Sequence, residues 1–200
     1  MCAYDVHAGQ YPASVHDCDG YITTGSDVSV YAQHASHREM VVLVRFNSFY
    51  FKKLIGICFG HQLIAQALGG TVQNSKYWAV GMGACTIYHH MPWMSFSPPR
   101  FIVWMGQSHY DQIVQLPDSA VIVGSASHCK NYLVQFTPHA LGIQGHPELP
   151  GHELRLLYRS RRTALGSAAD RAIQEVSARK ACPEIAEGGV AFLHGELSRN

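Results

Sequence analysis

The stretch Leu54-Ile55-Gly56-Ile57-Cys58-Phe59-Gly60-His61-Gln62, continuing through Leu63-Ile64-Ala65-Gln66-Ala67-Leu68-Gly69-Gly70, constrains the fold more than any other part of the chain. Leu54 to Ile57 is a short apolar run with β-branched residues, the pattern of a strand covered on both faces. Leu63, Ile64, Ala67 and Leu68 recur at helical spacing, and Gly69-Gly70 supplies a left-handed stop. Cys58 stands between strand and helix, with Gly56 and Gly60 flanking it at i−2 and i+2. A strand that turns sharply into a helix needs close backbone approach at both places, and glycine permits it. The pattern predicts a thiol at a helix N-terminus above the end of a sheet, where the helix dipole and free N–H groups favour an anion. That is the geometry of an activated nucleophile. A core cysteine is the competing reading, because free cysteine is among the most buried residue types. The flanking glycines, which a core cysteine does not need, weigh against it, and groups elsewhere in the chain have to decide.

The 200 residues suffice for one domain with a sizeable core. With 15 Lys+Arg against 14 Asp+Glu and 47% hydrophobic residues, the balance is that of an ordinary globular protein. No charge excess exists to drive binding to nucleic acid or to an anionic membrane. The basic cluster Arg155, Arg159, Arg161 and Arg162 falls on a predicted helix and is expected to be a solvated face. The longest apolar stretch, near Met40, is broken by Arg45 and Lys52-Lys53, far short of a membrane span. Met1 to His7 has neither the basic nor the apolar segment of a secretory leader. Six scattered cysteines without a C-x-x-C pair fit reduced thiols and a cytoplasmic setting. Thirteen histidines invite a metal hypothesis, but His89-His90 and His128-Cys129 would point to opposite faces of a strand, and His34 and His37 lack a nearby carboxylate. With no zinc-type spacing present, neither a metal nor a cofactor is expected.

In chain order, residues 1–18 read as an irregular lead-in, and Tyr21 to Thr24 as a strand ended by Gly25-Ser26-Asp27. Ser29 to Glu39 has a helical reading, while Met40 to Phe46 fits helix or strand. After Gly70, short strands are expected at Thr71 to Gln73, Gly81 to His90 and Phe101 to Met105, the last two separated by a loop holding Pro92, Pro98 and Pro99. Ala120 to Val123, Tyr132 to Phe136 and Leu141 to Gln144 follow one another closely and predict an antiparallel meander. Helices are expected from Pro150-Gly151, over Ala168 to Lys180, and over Ile185 to Leu193. Interleaved strands and helices followed by a run of strands argue for an α/β sheet with an antiparallel extension, residues 1–200 forming one domain with a helical tail at 166–200.

A thiol nucleophile needs a base, a group to orient that base, and donors for the oxyanion. Gly145-His146-Pro147-Glu148 offers the first two. Residues at i and i+2 of an extended segment share a face, and Pro147 keeps His146 out of the α region. His146 and Glu148 then lie side by side, where the carboxylate can fix the imidazole tautomer; the bland alternative is a surface turn before a helix. For the oxyanion, the amide of Phe59 at the helix start is one candidate donor. The amide near Gly25, at the carboxyl end of a strand, is the other; an ordinary turn at Gly25-Ser26 explains those residues equally well.

Together these pieces resemble the class I, triad-type glutamine amidotransferases. Gly56-Ile57-Cys58-Phe59-Gly60-His61-Gln62 is similar to that family's G-x-C-x-G-x-Q signature, and His146-Pro147-Glu148 to its H-P-E signature. Tyr21 to Ser26 resembles the oxyanion strand, and Gln107-Ser108-His109-Tyr110-Asp111-Gln112-Ile113 resembles the S-H-x-D-x-V segment bordering the glutamine pocket. The resemblance covers roughly residues 4 to 165 and is strongest to stand-alone, GMP-synthase-like domains, which include the plant γ-glutamyl peptidases. It implies a flavodoxin-like three-layer fold with a mostly parallel central sheet and a small antiparallel extension. It also implies catalysis by Cys58, His146 and Glu148, an oxyanion hole of Gly25 and Phe59, and substrate contacts from Gln62, Ser108 and His109. The implied reaction is hydrolysis of the γ-carboxamide of glutamine, or of a γ-glutamyl small molecule, through a γ-glutamyl thioester. Lacking an ATP-pyrophosphatase motif, such a chain either works alone or hands ammonia to a separate synthetase subunit. The family usually has a further strand and helix before the segment matching Ala3 to Val6, that strand being internal to the sheet. Here an unpaired edge is therefore expected.

Two other classes compete. A non-catalytic relic would bind a partner through that sheet edge or through the Trp93-Met94-Ser95-Phe96 loop. A cysteine peptidase on a similar sheet also uses an elbow cysteine, but Gln62 and the H-P-E triplet are not its usual pattern.

Overall fold

The computed structural model describes residues 1–32, 35–95 and 102–195, with Ala35 described by its backbone alone. His34, Phe96, Pro98, Pro99 and Phe101 lie outside the described residues. After a single 3-10 turn at Val6–Ala8, the chain runs β1 (Gly20–Thr23), α1 (Ala35–Phe49), β2 (Lys53–Ile57), α2 (Phe59–Ala67), β3 (Thr71–Ile87), β4 (Ile102–Gln115), β5 (Val121–Ala126), β6 (Cys129–Thr137), β7 (Ala140–Ile143), α3 (Gly151–Ser160), α4 (Arg162–Leu165), α5 (Ser167–Ala178) and α6 (Glu184–His194).

The seven strands form one sheet in the order β1-β2-β7-β6-β5-β3-β4. β1, β2 and β7 are parallel neighbours, with Thr23 opposite Gly56 and Ile57 opposite Ile143. Their carboxyl ends therefore finish level, and the segments that follow them leave the sheet side by side. The remaining pairings are antiparallel. The class is α/β as the sequence predicts, but the antiparallel part is wider than a small extension. The reason is that β3 and β4 form one long hairpin. β3 joins the two strands expected at 71–73 and 81–90; the register shift between Asn74 and Ala79 breaks the alternation there and makes one strand read as two. β4 continues past Met105 through a polar run in which Gln107, Ser108, His109 and Asp111 are buried and Tyr110 is exposed.

Period-two alternation divides the sheet's side chains between two layers. Leu54, Val134 and Phe136 pack with Phe59, Leu63 and Ile64 of α2 and with Met40 and Val44 of α1. Ile55, Leu133, Leu141 and Ile143 face the opposite layer, with Ile185 and Phe192 of α6. Met82 on β3 lies under Leu154 and Tyr158 of α3 and Ala169, Ala172 and Val176 of α5. Burial of Met40, Val44 and Asn47 at helical spacing resolves the ambiguous segment as α1. Trp93 and Met94 are buried; Trp93 donates Nε1–H to Gln135 Oε1 at 3.0 Å and packs on Gly188 and Phe192 of α6. These two residues are core anchors and not part of an exposed docking loop, which leaves the relic reading its sheet edge. Among the described residues β1 has one strand neighbour and forms an edge of the sheet, with Ile22 half-exposed.

Two glycines fix the meeting of β2 and α2. A Cβ at Gly56 would collide with the carbonyl of Gly60, and a Cβ at Gly60 with the carbonyl of Thr23 on β1. Gly56→Ala is expected to cost about 3 kcal/mol, the upper range for forcing extra volume into a packed site. Gly189→Ala in α6, whose Cβ meets Ile55 Cδ1 at an ordinary 3.4 Å, is expected to gain up to about 1 kcal/mol of helix propensity. Urea unfolding midpoints measure both, and equal effects would contradict the packing argument.

Candidate active site

Cys58 occupies the turn between β2 and α2 with φ 54° and ψ −102°, a left-handed conformation that non-glycine residues rarely adopt. Its amide is anchored to Ile143 O at 2.8 Å, and its carbonyl accepts the Gln62 N–H at 3.2 Å. α2 starts at Phe59, so the first N–H groups of that helix have no acceptor inside it. The side chain of Cys58 is thus raised above the sheet at the positive end of a helix.

His146 enters from the end of β7. Its N–H donates to Gly106 O on β4 at 2.7 Å, which holds the segment extended across the sheet ends. The imidazole Nδ1–H donates to Glu148 Oε1 at 2.7 Å, the side-by-side placement that the i, i+2 spacing predicts. With Nδ1 so engaged, Nε2 is the nitrogen left for Cys58. Burial works against charge on this ring, but hydrogen bonds to the Cys58 side chain and to Glu148 outweigh it and carry His146 up to about 10. Gly25, just beyond β1, lies against both groups: a Cβ there would sit 3.3 Å from His146 Cε1 and 3.9 Å from Cys58 Cβ.

A cavity of about 310 Å³ opens beside Cys58. Phe59, Gln62, Ser108 and His109 line it, together with the Ser26–Ser29 loop, Tyr31, Trp78, Tyr110, Asp111 and Arg161. A more open hollow of about 560 Å³, bordered by Tyr88, His89 and Lys130, shares no residue with it. Gln62 does not present a free amide to the cavity, because its Nε2 donates to Asp111 O at 2.9 Å and to Gln144 Oε1 at 3.0 Å. Ser108 Oγ accepts from Arg161 Nη1 at 2.6 Å. His109 donates Nδ1–H to Asp111 O at 3.1 Å, and burial, aided by His128, pushes it down to about 3. It is a neutral wall of the cavity and cannot act as a cation there.

Several residues in and around the cavity have roles that the sequence taken alone does not show. Asp111 accepts from Ser29 Oγ at 2.5 Å and from Tyr31 OH at 2.9 Å, tying the loop after β1 to β4. Arg161, at the end of α3, pairs with Asp27 and lies 6.0 Å from the ring of Trp78. It leaves the solvated basic face expected for its cluster, whereas Arg162 stays there and pairs with Asp170. Gln144, fully buried, reads as nothing more than a strand end, yet its Nε2 lies 3.6 Å from Cys58 Sγ. Among the described residues no group of three or more His, Cys, Asp or Glu is placed to hold a metal ion. No helix of the described residues is long and apolar enough to cross a membrane.

Sheet order, elbow and cavity together define a three-layer α/β protein with a cysteine-centred pocket. A sequence model of the class-I glutamine amidotransferases matches residues 19–157, and the chain belongs to that family. Over 145 residues it is 28% identical to γ-glutamyl peptidase 2 of Arabidopsis thaliana, the match covering 70% of this chain and 58% of that protein. Over 131 residues it is 30% identical to the glutamine-hydrolysing GMP synthase of Aeropyrum pernix, covering 65% of this chain and 24% of the synthase. The crystal structure of a glutamine amidotransferase from Methylobacillus flagellatus superposes with a TM-score of 0.76 at 23% identity, over 97% of this chain and 83% of that one, a likeness of fold. The chain thus spans well under two thirds of the curated relatives named here.

The buried histidines set a pH dependence of stability. His61, pushed down to about 4 by burial, and His109 refuse protons that the unfolded chain accepts near 6.5, so stability falls as pH drops below that value. His146 acts oppositely: its contribution is complete below 6.5 and is lost as pH rises towards 10. Urea unfolding as a function of pH is expected to show maximal stability near neutrality. His109→Gln flattens the acid limb and Glu148→Gln the alkaline limb, and a limb that ignores its variant would contradict the assignment.

Proposed function

We propose that this chain hydrolyses the γ-carboxamide of glutamine with Cys58 as nucleophile, His146 as base and acid, and Glu148 as the group that orients His146. The observation carrying this reading is the convergence of Cys58, His146 and Gly25 at the level carboxyl ends of three parallel strands, beside a cavity of about 310 Å³. The sulfur attacks the amide carbon, and the amides of Gly25 and Phe59 hold the resulting oxyanion. Collapse breaks the C–N bond, and His146 gives its proton to the departing ammonia. Water, deprotonated by the same imidazole, then attacks the γ-glutamyl thioester; the C–S bond breaks and glutamate leaves. Losing one oxyanion donor typically costs about 10²–10³ in rate.

A γ-glutamyl peptide is the second substrate reading, and Arg161 favours it. A guanidinium beside the Trp78–Tyr110 aromatic pair at the cavity wall suits a leaving group larger than ammonia and bearing a carboxylate. The similarity to a plant γ-glutamyl peptidase supports this reading, and that to a GMP synthase supports the first. The likeness to a glutamine-hydrolysing GMP synthase supports a synthetase as the consumer of ammonia made here. Six free cysteines support a reducing, cytoplasmic setting.

Intact mass after exposure to a diazoketone analogue of glutamine tests the nucleophile. One stoichiometric adduct is expected in the wild type and none in Cys58→Ala. His146→Ala is expected to lower turnover about 10²–10⁴-fold. Comparing ammonia release from glutamine with amine release from γ-glutamyl dipeptides separates the two substrates. No adduct and no release from reduced protein would favour the non-catalytic interaction module.

A further inference from the structure

We infer that Gln144 is a further catalytic group of this site, donating a side-chain N–H to the sulfur of Cys58 in an orientation that Gln62 imposes. The inference rests on Cys58 being the nucleophile, and it adds a second polar contact to that atom besides His146.

The direction of the hydrogen bonds follows from the chemistry of their ends. A backbone carbonyl can only accept, so the contact of 2.9 Å between Gln62 and Asp111 O places the NH₂ of Gln62 on that side. The same nitrogen lies 3.0 Å from the Gln144 carboxamide, so its second N–H finds the Gln144 oxygen. Gln144 must then turn its own NH₂ the other way, and Cys58 Sγ is there at 3.6 Å. Flipping Gln144 would set two N–H groups against each other and present a carbonyl oxygen to the sulfur. The network therefore has one favourable direction, ending in a donor at Sγ.

The scaffold holds this donor in place. Gln144 is fully buried directly after β7, and its backbone N–H donates to Tyr132 O at 2.8 Å. Asp111 is fixed in turn by Ser29, Tyr31 and the ring of His109. A buried carboxamide is costly unless both of its ends are satisfied. Here one of those ends is satisfied by the reacting atom. A donor at that distance stabilises negative charge on sulfur and restricts Cys58 χ1, so the nucleophile is aimed before substrate arrives. His146 supplies the proton traffic. Gln144, which does not titrate, supplies a fixed dipole.

The test reads the Cys58-containing peptide after timed alkylation with iodoacetamide across a pH series, alongside kcat and KM for glutamine. Gln144→Met keeps the volume and removes the donor. It is expected to slow alkylation at neutral pH about tenfold, to displace the pH profile about one unit to the alkaline side, and to leave the high-pH plateau unchanged. kcat should fall about tenfold or more while KM changes little, as expected for an interaction with the reacting atom. Gln144→Asn can still bond Gln62 but withdraws the donor from sulfur, and should reproduce the displaced profile. A wild-type profile in whichever of these variants has native circular dichroism overturns the proposal. Iodoacetamide requires no glutamine recognition, so the Gln144 result stands apart from the fate of the substrate assignment. If the wild type neither forms the glutamine-analogue adduct nor releases ammonia, the proposed function fails, while the alkylation profiles still decide the role of Gln144.

Discussion

Backbone meets backbone where α2 begins, and the rest of the site depends on that contact. The Thr23 carbonyl lies against Gly60 and the Gly60 carbonyl against Gly56, with no side chain between them. Three pieces of chain are thereby locked at one height: the end of β1, the end of β2 and the first turn of α2. Cys58 is lifted out of the sheet at a left-handed φ because its neighbours on both sides are pressed this closely. The register of β7 with β2 then delivers Gln144 and His146 to the same level.

The mixed sheet divides the labour. Its parallel strands provide level ends from which loops can converge. Its antiparallel hairpin provides a wall: β4 is long enough to bring Gly106 to His146 and Ser108 to Asp111 to the cavity. Three buried histidines around this wall show how neighbours decide charge. His61 and His109 hydrogen-bond backbone carbonyls and burial keeps them neutral. His146 is also buried, but it has Glu148 and Cys58 as partners and holds its proton. One residue type adopts opposite states because His146 has the Cys58 side chain and the Glu148 carboxylate as partners, whereas His61 and His109 have backbone carbonyls.

Local pattern made the elbow legible. Gly56 and Gly60 on either side of Cys58 state a backbone requirement that no other residue meets, and His146-Pro147-Glu148 encodes its geometry in an i, i+2 spacing. Features resting on distant partners were not legible. Gln107 and Ser108 look too polar for a buried strand, and hydrogen bonds to Val80 and Arg161 across the fold offset part of that burial. The bulge in β3 interrupts its alternation and hides one strand as two. Arg161 is indistinguishable by sequence from the exposed arginines around it; what draws it inward is Asp27, a residue far away in the chain. Trp93 and Met94 read as an exposed loop because the glycine that receives Trp93 lies on α6.

The edge position of β1 gives the molecule an uneven resilience. Among the described residues Gly25 hangs from a strand of four residues with hydrogen bonds to one neighbour, whereas Cys58 and His146 hang from strands inside the sheet. Opening β1 breaks few contacts, so it belongs to the low end of the local-unfolding spectrum, while β2 and β7 open with the whole domain. The Asp27–Arg161 pair and the Asp111 contacts of Ser29 and Tyr31 act as guy lines on that same loop. Competence of the pocket is thus set by the weakest seam of the fold, and can be lost while the core is still native.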